Sequence, residues 1–368
     1  MRGMLAVVLC IALTAMCWGI YGPVLHVGQE KLGVAADAAA GTRAELSFWR
    51  AFIGVGLAYF VIAVLIPTIY LQTKGEKGSW TVGGTLMSIG AGAAGAVGAL
   101  GIIMAFVYRG SPIYVMPLVF GFAPVVNSFV TMYFAKSYKE TNAIFWAGLL
   151  LVVAGAVTVL LFKPTATVAA AVSNAGGGAA GALAVATDTM MVTISVAIVA
   201  LCWGSYGPLL HKGQAAMHGS RLRPFICVGL AYFLVAVVVP LVVLGLKSTP
   251  EPGGWNFGGT AWSLGAGAAG AFGALGIIMA FNFGGKPVYV MPLVFGCAPV
   301  INVSVSVISQ ISKLREGQEL IISPIFYAGL IVVAVGAVTV LVFAPKPHKP
   351  AAAKAEEPAK VETAGATS

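Results

Sequence analysis

Ser88 to Phe106 reads SIGAGAAGAVGALGIIMAF, and Ser263 to Phe281 reads SLGAGAAGAFGALGIIMAF. The two stretches differ at two of nineteen positions. Each is about the length of helix that crosses the ~30 Å hydrocarbon core of a bilayer. The copying continues on both sides. Tyr114–Asn127 matches Tyr289–Asn302, again with two differences, and Gly56–Phe60 matches Gly229–Phe233. Cys17-Trp18-Gly19-Ile20-Tyr21-Gly22-Pro23 returns as Cys202-Trp203-Gly204-Ser205-Tyr206-Gly207-Pro208, and Gly155–Val159 as Gly336–Val340. The order is the same in both halves, so the chain is a duplication.

The composition fits a lipid solvent. Of 368 residues, 59% are hydrophobic and 9% charged, where a soluble domain carries roughly 25% charged. Ten stretches are long and apolar enough to span: 4–25, 48–72, 81–107, 112–135, 142–163, 190–211, 224–246, 258–282, 287–310 and 324–344. The expected fold is an all-α polytopic membrane protein of ten transmembrane helices in two five-helix repeats, 1–163 and 189–344. Residues 164–188 are rich in Ala and Gly and read as a linker. Residues 345–368 mix Ala, Pro, Lys and Glu and read as a disordered tail. Residues 2–17 resemble a secretory leader, but the same signature recurs at Cys202, where it cannot be one. Five is odd, so the second repeat is expected to start on the opposite side and to be inverted relative to the first. With the N-terminus inside, thirteen Lys and Arg fall inside and eight outside, and four of the thirteen are in the tail.

Binding sites in inverted-repeat carriers lie at the midplane, near irregular helices. Gly and Pro weaken the ladder at Trp18–Pro23 and Trp203–Pro208. Trp18, Tyr21 and His26, with Trp203, Tyr206 and His211, are expected to wall a pocket there; the competing reading is an interfacial aromatic belt. In the second motif Pro117, Gly121 and Pro124 share a face with Asn127, and Pro292, Gly296 and Pro299 with Asn302. The prolines and glycines are candidate hinges and the asparagines candidate ligands, unless they only bond a neighbouring helix. Gly90, Gly92, Gly95, Gly98 and Gly101, with their copies at 265, 267, 270, 273 and 276, predict close helix contact. Arg50 and Arg223, at equivalent helix starts, either attract an anion or snorkel to the interface.

Other chemistry is missing from the sequence. All twelve acidic residues fall outside the ten stretches, so a proton-coupled mechanism would have to use His26 or His211. The five cysteines lie in apolar runs without metal spacing and read as buried thiols. There is no nucleophile with a base, no metal cluster and no phosphate loop. An enzyme is not expected, and no cofactor is implied. The 21 basic residues are dispersed, so nucleic acid is not an expected partner.

Ten spans as five plus five, with Trp-Gly in the first, resemble the drug/metabolite transporter superfamily. Ala105-Phe106-x-Tyr108 through Pro124-Val125 is similar to that superfamily's signature across helices three and four. The second half repeats it from Ala280 to Pro299, with Phe283 in place of Tyr108. Trp203-Gly204-Ser205-Tyr206 also resembles the sugar and ureide carrier branches. The resemblance implies a central cavity walled by helices one to four and six to nine, with helices five and ten peripheral. The expected function is secondary transport of a small polar metabolite by alternating access. A membrane scaffold or assembly protein, or a lipid or ion carrier on the same fold, stays open. The expected partners are a small-molecule substrate and the lipid bilayer, with a homodimer left open. The expected location is the bacterial inner membrane, with both termini cytoplasmic.

Overall fold

A chain in hydrocarbon must satisfy its backbone N–H and C=O groups internally, and a run of apolar residues does so as a helix. The computed structural model describes residues 2–35, 45–166, 179–246, 251–283, 287–314 and 320–345. It contains ten helices long and apolar enough to cross a membrane. They are α1 (Arg2–Leu32), α2 (Trp49–Lys74), α3 (Val82–Val107), α4 (Pro112–Ala135) and α5 (Ala143–Leu161). The second five are α6 (Ala179–Ala216), α7 (Leu222–Leu246), α8 (Phe257–Asn282), α9 (Pro287–Ile311) and α10 (Pro324–Phe343). The protein is therefore a polytopic α-helical membrane protein.

Eight helices match the expected stretches to within two residues at each end. The other two are longer. Pro23 and Pro208 do not stop α1 and α6, because helix-compatible residues continue to Leu32 and Ala216. At its start, α6 reaches back to Ala179, so residues 179–188 are helical rather than linker. Ala-rich sequence favours helix when a hydrophobic span propagates it. This corrects the placement of the acidic residues: Glu30 lies within α1 and Asp188 within α6. Residues 167–178 of the expected linker and 346–368 of the expected tail lie outside the described residues.

The helices are also more regular than expected at the motifs. α1 and α4 run unbroken through Pro23, Pro117 and Pro124. The irregular turns are elsewhere, as π-helical segments at Phe60–Leu65 in α2 and Leu234–Val238 in α7. Each packs on a glycine of the other helix. A Cβ at Gly229 would come 2.6 Å from Val64, and one at Gly56 would come 2.7 Å from Val237.

Packing is mostly between halves. α1 lies antiparallel on α8, since Thr14 meets Gly273 and Gly276 while Leu32 meets Gly259. α6 lies on α3 in the same way, with Trp203 at Gly98 and Met217 at Gly84. α2 and α7 cross antiparallel, and so do α5 and α10, where Gly148 meets Thr339 and Gly329 meets Thr158. α5 and α10 send large apolar side chains outward, Leu150 at 70% and Ile331 at 64% exposure. The cysteines are less buried than expected: Cys227 is buried, Cys297 is exposed and the other three are partly covered. Cys297 takes the place of Phe122 in the repeat.

A helix start in this setting leaves backbone N–H groups without partners. Two glutamates meet this need across the repeats. Glu251 Oε1 accepts from Ser47 Oγ at 3.1 Å and from the N–H groups of Phe48 and Trp49, and Oε2 accepts from the Arg50 N–H at 3.3 Å. The Arg50 guanidinium stands 3.6 Å from the carboxylate and donates to the carbonyls of Glu251 and Pro252. In the other half Glu76 accepts from Ser220 Oγ at 2.6 Å and from the N–H groups of Arg221 and Leu222, with Arg223 at 3.7 Å. Arg50 and Arg223 are therefore held by carboxylates; neither stands free for an anion, and neither merely snorkels. The Arg50–Glu251 side chains are only 10% and 7% exposed. Removing one member of a buried pair strands the other, at about 3–5 kcal/mol. Glu251→Ala is expected to cost about 3 kcal/mol in thermal unfolding of the detergent-solubilised protein, and Arg50→Met with Glu251→Leu should recover part of it.

Candidate functional site

The repeat places an indole from each half against a stripe of glycines from the other. Trp18 of α1 donates from Nε1 to the Gly270 carbonyl at 3.3 Å, and Trp203 of α6 to the Gly95 carbonyl at 3.1 Å. A Cβ at Gly273 or Gly98 would lie 2.2 Å from the indole. Those glycines therefore do more than allow helix packing: they make the notch in which each tryptophan lies.

Between the two indoles is a cavity of ≈ 70 Å³. It is lined by Trp18, Tyr21, Tyr59, Phe120 and Gly95 from the first half. Trp203, Tyr206, Tyr232, Phe295 and Gly270 from the second half are their repeat equivalents, and Ala274 joins them. Tyr59 and Tyr232 stack face to face at 3.7 Å and 2° where α2 crosses α7. The other rings meet at angles. Tyr21 and Trp203 are 66° apart, Phe120 and Phe295 57°, Trp18 and Phe295 43°, and Phe120 and Trp203 42°. The hydroxyls of Tyr21 and Tyr206 are buried without a hydrogen-bond partner.

Further along α1 is a second, larger space of ≈ 370 Å³, the vestibule, lined by Pro23, His26 and Glu30 of α1, Arg109 to Pro112, and Ser306, Ser309, Gln310 and Lys313. Trp18 and Glu30 are twelve residues apart, about 18 Å at ~1.5 Å per residue. Glu30 is flanked by His26 Nδ1 at 3.3 Å and by Lys313 Nζ, which ties α1 to the end of α9. Arg109 pairs with Asp188 at 3.2 Å, and Gln310 donates to Ser111 Oγ at 2.7 Å. The layer between vestibule and cavity is tight: a Cβ at Gly22 would come 2.6 Å from Met116 and 3.0 Å from Asn302 Nδ2. Met116, Asn302 and Leu25 are fully buried there.

The expected site residues thus separate. Trp18, Tyr21, Trp203 and Tyr206 meet around one cavity. His26 lines the vestibule, and His211 is exposed near the end of α6. Asn302 donates from Nδ2 to the Gly19 carbonyl at 3.1 Å, whereas half-buried Asn127 accepts from Thr131 Oγ1 at 3.5 Å. Neither asparagine is among the residues lining the cavity. Pro117, Gly121 and Pro124 are buried in α4, and Gly121 is a notch for Val333 of α10. Gly296 and Pro299 are partly covered, and Pro292 lies within α9, its side chain outside the described residues. Sequence reasoning missed Tyr59, Tyr232, Phe120 and Phe295 as cavity walls. All four lie inside segments recognised as repeated, where aromatics kept in both copies (Tyr59 beside Phe60, Phe120 after Tyr114) were the available signal. Among the described residues no group of His, Cys, Asp and Glu could hold a metal ion.

No protein-family model matches the chain, and no curated protein matches it as a relative.

Gly98→Ala and Gly273→Ala are expected to drive the indoles out of their notches. Overpacking of this kind costs roughly 1–3 kcal/mol. Tryptophan emission from the cavity should shift as each ring loses its carbonyl partner, while Gly90→Ala, where nothing lies within 4 Å, should leave stability and emission unchanged.

Proposed function

We propose that the protein is a secondary transporter of a small polar metabolite, working by alternating access between two inverted five-helix repeats. The observation that carries this reading is the composition of the cavity wall. Trp18 and Trp203, Tyr21 and Tyr206, Tyr59 and Tyr232, Phe120 and Phe295, Gly95 and Gly270 are five pairs of repeat equivalents around one space. A site that must be offered in turn to two sides of a membrane is best built from two equivalent walls. The antiparallel crossing of α2 with α7 and of α5 with α10 supports the inversion, because each pair consists of the same helix from the two repeats. The vestibule supports an access path, since it reaches to within the Gly22–Met116–Asn302 layer of the cavity. The resemblance to the drug/metabolite transporter superfamily points the same way. On this reading both termini are cytoplasmic in a bacterial inner membrane.

Two measurements test it. A metabolite that stabilises the purified protein should cross proteoliposomes containing it, and Trp18→Leu or Trp203→Leu should reduce that flux about tenfold or more, the equivalent of ~1.4 kcal/mol of lost contact. Tags placed at residues 167–178 and after residue 345 should be reached from opposite sides of the membrane. Full flux in both tryptophan variants, or tags on one side, overturns the proposal.

A further inference from the structure

The cavity wall also restricts the class of ligand, on the reading that this cavity is the transport site. Its described lining contains no Asp, Glu, Lys, Arg or His. Both indole N–H groups are committed to the carbonyls of Gly270 and Gly95. What remains is ring surface and the hydroxyls of four tyrosines, of which those of Tyr21 and Tyr206 are buried without a partner.

Each class of small metabolite meets this wall differently. An anion finds no positive group, and the negative faces of the rings repel it. A hexose brings more polar groups than the four phenols of the lining can satisfy, and each polar group buried without a partner costs about 1–3 kcal/mol. A flat heterocycle needs parallel faces on either side. The other ring pairs around the cavity are turned 42° to 66° from one another, and the one parallel pair, Tyr59 and Tyr232, is already closed at 3.7 Å. A protonated primary amine needs acceptors for three N–H groups around one nitrogen, and the wall is mostly aromatic ring.

A fully substituted ammonium has none of these problems. It presents no N–H to satisfy, and it is attracted to the face of any ring within ~6 Å, most strongly Trp, by about 0.5–2 kcal/mol per contact. Rings set at angles around a point suit a compact rounded cation better than a planar one. The cavity of ≈ 70 Å³ limits its size, since a water needs ~10–15 Å³ on that measure. We propose that the aromatic box formed by Trp18, Trp203, Phe120, Phe295 and the Tyr59–Tyr232 pair binds a compact quaternary ammonium.

The test uses the purified full-length protein in detergent. Tetramethylammonium chloride is compared with sodium chloride at equal ionic strength and with tert-butanol, an uncharged molecule of similar shape. Tetramethylammonium is expected to raise the unfolding midpoint by about 2 °C or more at ten times its Kd and to change the emission of the cavity tryptophans. Trp18→Leu and Trp203→Leu should each weaken it about tenfold, roughly 1.4 kcal/mol, while Gly90→Ala, outside the cavity lining and with nothing within 4 Å, should bind it as the parent does. No response to tetramethylammonium, an equal response to tert-butanol, or undiminished binding in a folded Leu variant overturns the proposal. Proteoliposome flux separates the two readings. Tetramethylammonium binding without flux keeps the ligand class and removes transport; flux of a neutral or anionic solute by a protein blind to tetramethylammonium does the reverse.

Discussion

Trp18 and Trp203 each lie across a helix of the opposite half with no side chain between indole and backbone. Much of the centre follows from that contact. An indole can sit on a helix backbone only where the helix offers glycine, and here it finds Gly270 and Gly273 or Gly95 and Gly98. The same stripe brings α1 onto α8 and α6 onto α3 at backbone distance, which lipid alone would not drive. It also fixes the indole N–H groups, so the rings take one orientation and present a wall to the cavity. Widening either notch would move a wall; filling it would expel one.

The halves are interlocked rather than merely apposed. Helix contacts between the repeats include α1 on α8, α6 on α3, α2 across α7 and α5 across α10, and each repeat caps a helix of the other, Glu251 at the start of α2 and Glu76 at the start of α7. A carboxylate at a helix N-terminus meets the unpaired N–H groups and the positive end of the helix dipole together, and the adjacent arginine offsets the charge that the membrane interface would otherwise disfavour. Neither five-helix unit is therefore complete without its copy, although each is a continuous stretch of sequence.

The sequence made the spans legible because hydrophobic length is a one-dimensional property, and it made the repeat legible because α3, α4, α8 and α9 are nearly identical between copies. Trp18, Tyr21, Trp203 and Tyr206 were readable as a wall since their Trp-Gly-x-Tyr-Gly-Pro setting is unusual for a span. The partners of that wall were not. Tyr59 and Tyr232 come together only because α2 crosses α7, and no local pattern announces a crossing. The expectation that proline would break α1 and α4 also failed. Within a bundle, neighbouring helices and local adjustments let a helix continue through proline, and the irregular turns arose where α2 and α7 press on each other's glycines. The roles of Arg50 and Arg223 depended on Glu251 and Glu76, about two hundred and about a hundred and fifty residues away along the chain, in loops that carried no motif.

The symmetry of the centre does not extend to charge. Position 30 is Glu in the first repeat, and its equivalent, position 215, is Ala. Glu30 holds Lys313 across the vestibule and has His26 beside it, while His211 is exposed and the adjacent Lys212 lies over the Phe134 ring at 3.6 Å. The ends of α1 and α6 are thus built for different interactions, although the cavity between them is walled by equivalent side chains. An ion pair spanning a wide opening is weaker than one closed from water, so Lys313 and Glu30 resist separation of α1 and α9 less than burial would suggest. If the two repeats exchange shapes during a cycle, the walls of the cavity can trade places without chemical change, but the vestibule cannot. On the proposed transport cycle, the two access states would then differ in energy by what Glu30, His26 and Lys313 contribute on one side alone.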